Sequence, residues 1–476
     1  MVGQSTASPG SSIHDGADTG GSGVVRIAAV AALGGFLFGY DSAVINGAVS
    51  AVSRQFDAEA ASLGFAVASA LLGAAAGALT AGRTADHIGR LAVMKIAAAL
   101  FLVSAIGSGF AGSLTVLIVF RVVGGLGVGM ASVIAPAYIA EISPARIRGR
   151  LASLQQLAIV TGIFVSLLVD FIIATVAGGS SEPFWGGLPA WRWMFLAMAV
   201  PAVAYGALSF TIPESPRFLI SQHRVSAATA ILTRLLGETG IELRVERIRE
   251  SLERETEPSW RDLRSPNGRI AGIVWIGLLL SVFQQFVGIN VIFYYSNVLW
   301  EAVGFDESQA FTITVISAVI NILTTLIAIG TIDKVGRRPL LIIGSIGMTV
   351  TLAVLAVVFG TAPVVDGNPV LDGAQGPIAL IAANLFVVSF GMSWGPVTWV
   401  LLGEMFPNRM RAAALSVAAG GQWLANWLIT VTFPGLKDVS LALAYGLYAA
   451  FALLSLLFVA RFIAETKGKQ LEDMQG

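Results

Sequence analysis

The chain runs repeatedly for about 20 residues with almost no charged side chain, the length an α-helix needs to cross the hydrocarbon core of a bilayer. Twelve such stretches lie near 25–48, 62–83, 92–111, 115–138, 151–175, 191–212, 270–300, 309–332, 339–360, 377–402, 411–432 and 440–462. No water is present there to satisfy the backbone, so segments of this length span as helices, whose hydrogen bonds are internal. Composition agrees: 55% of the 476 residues are hydrophobic, 12% are charged, and the mean hydropathy is +0.79. The expected fold is an all-α membrane protein. Lys+Arg and Asp+Glu stand at 29 each, which gives no basic excess for nucleic acid. There is no Cys, and His14, His87 and His223 are scattered, so disulfides, thiolate chemistry and a His cluster for metal are excluded. No cofactor is expected.

One polar loop occurs twice. Asp86-His87-Ile88-Gly89-Arg90 follows the second apolar stretch, and Asp333-Lys334-Val335-Gly336-Arg337-Arg338 sits at the matching place downstream, marking two homologous six-helix bundles. Arg83, Arg90, Arg146, Arg148, Arg150, Lys334, Arg337, Arg338, Arg409, Arg411, Lys467 and Lys469 fall on one side of the membrane, whereas loops 176–190 and 361–376 hold no Lys or Arg. The positive-inside rule then places both termini and the basic middle segment in the cytoplasm of a multi-pass plasma-membrane protein. Residues 1–24, rich in Ser, Gly, Ala and Asp, read as a disordered cytoplasmic tail without the charged and apolar regions of a signal peptide. The expected division continues with an N-terminal bundle 25–213, a cytoplasmic helical linker 214–269, a C-terminal bundle 270–465 and a tail 466–476. Within the linker, 230–236 and 241–248 alternate apolar and charged residues at helical spacing, which predicts short amphipathic helices against the cytoplasmic face of both bundles. Gly73 and Gly77 in the second span, and Gly124, Gly125, Gly127 and Gly129 in the fourth, suit close helix packing.

Asp41 and Arg121 read as the ionisable residues deepest in the apolar spans of the first half. A charge at the bilayer centre costs at least about 2.5–3.5 kcal/mol on insertion scales, so such residues are expected to face a partner or a water-filled path. Burial disfavours an ionised carboxyl and a nearby guanidinium favours it, so movement of Arg121 relative to Asp41 would switch proton affinity. A structural ion pair is the plainer alternative. In the seventh span, Gln284, Gln285 and Asn290 offer amides that suit an uncharged polyol, each with a donor and an acceptor. At about 100° per residue an unbroken helix cannot aim all three at one ligand, so Gly288 is a predicted break.

Taken together, Gly39-Tyr40-Asp41, Arg121-Val122-Val123-Gly124-Gly125, Glu141-Ile142-Ser143-Pro144-Ala145-Arg146, Pro213-Glu214-Ser215-Pro216-Arg217, Gln284-Gln285 to Asn290, Glu404-Met405-Phe406-Pro407 and Glu465-Thr466-Lys467-Gly468 resemble the sugar porter family of the major facilitator superfamily, from the first span to the tail. The resemblance implies two six-helix halves, alternating access and a central sugar site. By position it adds Gln156, Asn321, Gly395, Trp399, Gln422, Trp423 and Asn426 to the sugar ligands, with Tyr294 and Tyr295 as an outer gate. For Gln155 and Asn426, interhelical hydrogen bonding is an equally good reading. It further implies a cytoplasmic salt-bridge set: Asp86, Arg90, Glu141, Arg148, Glu214 and Arg217 in one half, and Asp333, Arg337, Glu404, Arg411 and Glu465 in the other. Exposed pairs are worth about 0–1 kcal/mol each, which suits biasing a two-state equilibrium.

The resulting expectation is a sugar:proton symporter for a hexose, D-glucose first, acting as a monomer with Asp41 as proton acceptor. An acidic residue here resembles the proton-coupled members, whereas passive glucose facilitators have an uncharged one, and Ile163 leans the site away from a pentose. A xylose, galactose or arabinose symporter and a passive facilitator are the alternatives. A transporter-like sensor is the remote one, for which the few residues after Gly468 offer no signalling module. No enzyme is expected, since no span pairs a nucleophile with a base.

Overall fold

A computed structural model of the chain describes residues 19–143, 148–236, 240–254, 263–264, 268–365, 368–407 and 410–466. The first half comprises α1 (Thr19–Ala43), α2 (Ile45–Phe56), α3 (Ala60–Ile88), α4 (Arg90–Gly109), α5 (Leu114–Ile142), α6 (Arg148–Ala177), α7 (Ala190–Ala197) and α8 (Ala199–Leu208). Three short helices follow: α9 (Pro216–Ser221), α10 (Val225–Leu236) and α11 (Ile241–Arg254). The second half comprises α12 (Gly272–Phe286), α13 (Ile289–Ala302), α14 (Glu307–Val335), α15 (Arg337–Thr361), α16 (Gln375–Gly391), α17 (Trp394–Met405), α18 (Arg411–Val439) and α19 (Leu441–Phe462). A two-residue hairpin, Val364–Val365 with Asn368–Pro369, joins α15 to α16.

The pairs α1/α2, α7/α8, α12/α13 and α16/α17 each form one span, which makes twelve. Among the described residues, eleven are long and apolar enough to cross a bilayer on those grounds alone. The remaining one, α18, is 29 residues long and carries Gln422, Asn426, Lys437 and Asp438, so its sequence is less apolar. An even number of spans puts both ends of the bundle on one face, here called the terminal face. Helix α1 begins at Thr19, inside the stretch read as tail, and residues 1–18 and 467–476 lie outside the described residues.

The small residues act as expected. A Cβ at Gly73 or Gly77 would run into the carbonyls of Val122 and Leu126, and one at Gly125 or Gly129 into those of Ala70 and Ala74, so α3 and α5 pack backbone to backbone. Helices α9 to α11 fold on their own small core of Leu219, Ile220, Ala228, Leu232, Ile241 and Val245. They rest on the first half through α9 on α5, α10 on α1, and Arg244 Nη2 donating to Ser143 O at 3.4 Å.

Candidate functional site

Three of the broken spans shape the middle of the molecule. In the first, α1 stops at Ala43 and α2 restarts at Ile45, although Val44 N–H still reaches Tyr40 O at 2.9 Å. A helix end leaves its last carbonyls and the first N–H groups of its successor without partners. Arg121, on α5, takes one of them: its Nη1 donates to Asp41 O at 2.8 Å. The same nitrogen stands 3.5 Å from Asp41 Oδ2, with the two side chains 2% and 1% exposed. The expected pairing is therefore present as a charge contact, while neither carboxyl oxygen of Asp41 has a hydrogen-bond partner among the described residues. Ser104 Oγ lies beside it, since both approach the place a Cβ on Gly124 would occupy. The Phe195 ring lies 6.0 Å from the Arg121 guanidinium.

The second break falls at Gly288, whose φ of 84° is the left-handed region a β-carbon disfavours. It turns Asn290 back toward the preceding helix. Asn290 Nδ2 donates to Gln285 Oε1 at 2.5 Å, Gln285 Nε2 to Gln284 Oε1 at 3.3 Å, and Gln284 Nε2 to Trp394 O at 2.9 Å and Gly395 O at 3.3 Å. The third break lies between α16 and α17 at Ser393 (φ −134°, ψ −87°), and those two carbonyls belong to the first turn of α17 just beyond it. The three amides predicted from the seventh span, together with Gly395, thus form one chain across two discontinuous spans.

Other residues carried over from the resemblance arrange around this chain. On α18, Trp423 meets Phe38 of α1 with ring centroids 5.9 Å apart, and Asn426 Oδ1 accepts from Thr430 Oγ1 at 3.2 Å. Gln422 is half-buried. Trp399 is 42% exposed, unlike Trp394, which is fully buried with Nε1 donating to Leu341 O and Ser345 Oγ. Asn321 is buried on α14 with Oδ1 near Gly391. Gln156 is half-buried on α6, whereas its neighbour Gln155 is buried against Gly35 with neither amide atom partnered among the described residues.

The two tyrosines part company. Tyr295 is packed within the second half, its hydroxyl donating to Thr430 O at 3.0 Å and its ring 5.0 Å from Phe433. Tyr294 reaches across: its hydroxyl meets the side chains of Asn426 and of Ser42, the residue next to Asp41. Farther from the terminal face, the halves are tied by Asn46, which donates to Phe293 O at 3.1 Å and accepts from Asn297 N–H at 3.0 Å, by Ser50 to Glu301 at 2.9 Å, and by Ser180 N–H to Glu307 at 2.9 Å.

On the terminal face the repeated loops build the same device twice. Arg90 pairs with Asp86 at 3.0 Å and Glu141 at 3.1 Å, and Arg337 pairs with Glu404 at 2.8 Å. Glu214 accepts the backbone N–H groups of Arg90 and Leu91, and Glu465 those of Arg337 and Arg338, each capping the helix that follows the loop. Ser215 donates to Glu141 as Thr466 does to Glu404. Gly89 (φ 95°) and Gly336 (φ 105°) leave room for those capping carboxylates. Each pair lies within one half, and apart from Asp86 the paired side chains are only 10–28% exposed, so they are less solvent-screened than the sequence reading assumed. The side chains of Arg148, Asp333 and Arg411 lie outside the described residues, and Arg217 is engaged with neighbours.

One ionisable residue escaped the sequence reading. Asp170 on α6 is fully buried (0% exposed), so Asp41 and Arg121 are not alone as the deepest charges of the first half. The signal was a lone Asp inside an apolar span.

Comparison with known proteins places this architecture. The family model for sugar (and other) transporters matches residues 27–476. The glucose transport protein of Synechocystis sp. is 57% identical over 453 residues, covering 95% of this chain and 97% of that one. The D-xylose-proton symporter of Escherichia coli strain K12 is 39% identical over 489 residues, covering 95% of each. A solved structure of the xylose transporter XylE from E. coli in a partially occluded inward open conformation superposes with a TM-score of 0.81 at 37% identity, covering 94% of this chain and all of that one.

Proposed function

Because the chain belongs to the sugar transporter family and shares its major facilitator fold, we propose that it is a sugar:proton symporter that carries a hexose, D-glucose first, into the cell. The glucose reading leans on the 57% identity to a glucose transport protein, and the proton on the likeness to a xylose-proton symporter. The observation that carries it is the Asp41–Arg121 arrangement. Arg121 spends its short hydrogen bond on the Asp41 carbonyl and leaves the carboxyl 3.5 Å away without a bonded partner. A buried carboxyl balanced only by a loose charge contact exchanges a proton at small cost when that contact lengthens or shortens.

The sugar would bind the amides of Gln284, Gln285 and Asn290 with the carbonyl edge at Gly395, and Gln156, Asn321, Gln422 and Asn426 would complete its hydroxyl partners. Trp399 and Trp423 would cover its C–H faces. Tyr294 would gate the site and report its occupancy to the proton pair, since its hydroxyl meets Asn426 on one side and Ser42, next to Asp41, on the other; Tyr295 would brace it from within the second half. The sidedness follows the Arg and Lys distribution, with the terminal face and both chain ends in the cytoplasm. The interhalf hydrogen bonds then close the outer side, an inward-facing arrangement, and the terminal-face ion pairs are at rest within their own halves. A single chain contains both halves of the site, so a monomer suffices.

The test is uptake into proteoliposomes under an imposed pH gradient. Asp41→Asn should abolish accumulation above equilibrium while sugar exchange persists, with glucose competing better than xylose. Accumulation that survives the substitution would make Asp41 a structural residue, and wild-type protein that never accumulates sugar would make the carrier a passive facilitator.

A further inference from the structure

Asp170 lies where the first span breaks. Its carboxyl packs against Gly47, so that a Cβ on that glycine would stand 2.8 Å from Oδ2, and Gly47 N–H faces it. Gly47 sits in the first turn of α2, where the gap after Ala43 leaves N–H groups without intrahelical partners. On α1, Tyr40 is buried and its hydroxyl is also unpartnered among the described residues. The Gly47 N–H approaches the carboxyl without reaching full hydrogen-bond geometry, so neither Asp170 oxygen has a well-formed partner, and no ion pair reaches it, among the described residues. Of the charged groups on the helices packed against α6, Arg121 on α5 is held at Asp41 of α1, Glu141 on α5 pairs with Arg90, Arg54 on α2 donates to Ser181 Oγ, Arg192 on α7 donates to Gly109 O, and Glu307 on α14 accepts from Ser180 N–H. Asp41 lies six residues before Gly47, about 9 Å along the span.

A buried carboxyl without a cation is held neutral by a bound proton, because ionisation there carries a large desolvation penalty. Among the described residues, the start of a helix is the one nearby feature that favours its charged form. We propose that Asp170 is a second proton-binding site of the first half, linked through the break at Val44 to the Asp41–Arg121 site. The break frees both groups concerned: the Asp41 carbonyl, held by Arg121, and the Gly47 N–H, which faces Asp170. Loss of the proton from Asp170 tightens the carboxylate on Gly47 N–H and holds the span broken; rebinding releases that N–H and lets the span straighten. Straightening takes the Asp41 carbonyl back from Arg121, so the proton state of one site is felt at the other. A single proton is bound or lost and no other bond changes.

The proposal takes from the functional reading only that protons travel with the sugar, and it is tested apart from it by infrared titration of the purified full-length protein. Wild type should show a protonated-carboxyl stretch from an apolar site that titrates with pH, is absent in Asp170→Asn and is retained in Asp41→Asn. Gly47→Ala, whose methyl meets the same oxygen in a helix that tolerates Ala, should shift that band. In proteoliposomes, Asp170→Asn should remove one step from the pH profile of uptake and keep sugar exchange. A band unaffected by Asp170→Asn and Gly47→Ala, or one that never titrates, overturns the second site whatever Asp41→Asn does. Conversely, coupling that survives Asp41→Asn overturns the symport role of Asp41 and leaves the Asp170 band to be judged by itself.

Discussion

Gly288 shows how much of the site depends on one backbone angle. Its left-handed φ costs any residue with a β-carbon about 1–2 kcal/mol, and that carbon would also stand 2.7 Å from the Tyr448 ring. We predict that Gly288→Ala lowers thermal stability in detergent and weakens sugar binding together, because the turn that brings Asn290 onto Gln285 is displaced; a variant with wild-type melting and affinity would show that the turn is not needed. Asn290→Ala should raise the half-saturating sugar concentration about tenfold, the equivalent of one net hydrogen bond of about 1.4 kcal/mol. Equilibrium binding by calorimetry checks it, and unchanged affinity would remove Asn290 from the site. Asp41, Arg121 and the three amides were legible in the sequence because polar groups are rare in apolar spans. The separate fates of Tyr294 and Tyr295 were not, since adjacent residues on a helix differ by about 100° and only the kink at Tyr295 (φ −128°) fixes their directions.

At the level of elements, the repeated Asp-x-x-Gly-Arg loops do more than join helices. Each places a glycine at positive φ so that a distant glutamate can cap the next helix, Glu214 on α4 and Glu465 on α15. Glu465→Gln keeps the shape and removes the charge, so we predict a loss of about 0.5–1 kcal/mol from the helix terminus, read as a lower melting temperature without loss of sugar binding. An unchanged melt would contradict the capping role. The loops announce their symmetry in sequence, yet the capping does not, because Glu214 and Glu465 lie more than a hundred residues from the helices they serve. The break in the first span was equally hidden. Ala43-Val44-Ile45 contains neither Gly nor Pro, and what stabilises the gap is Arg121 arriving from α5.

For the whole molecule, the twelve spans and their division into halves were readable because bilayer length is a stringent constraint. The isolation of Asp170 among the described residues was not, since what surrounds a residue is a property of the packed bundle rather than of any segment. Between the halves, the described hydrogen bonds gather at the side away from the chain ends, so joining Ser50 to Glu301 should trap one state. The chain has no Cys, which makes a Ser50→Cys, Glu301→Cys pair clean to interpret. A short thiol cross-linker should stop transport in the pair, reduction of a cleavable one should restore it, and continued transport by the linked protein would contradict rocking of two halves about a central site. The coupling claim itself is tested most directly by proton flux. In lightly buffered proteoliposomes without an imposed gradient, adding glucose should drive protons inward with the sugar in wild type, and Asp41→Asn should exchange glucose with no proton movement. Glucose-driven proton flux that persists in Asp41→Asn would contradict the account.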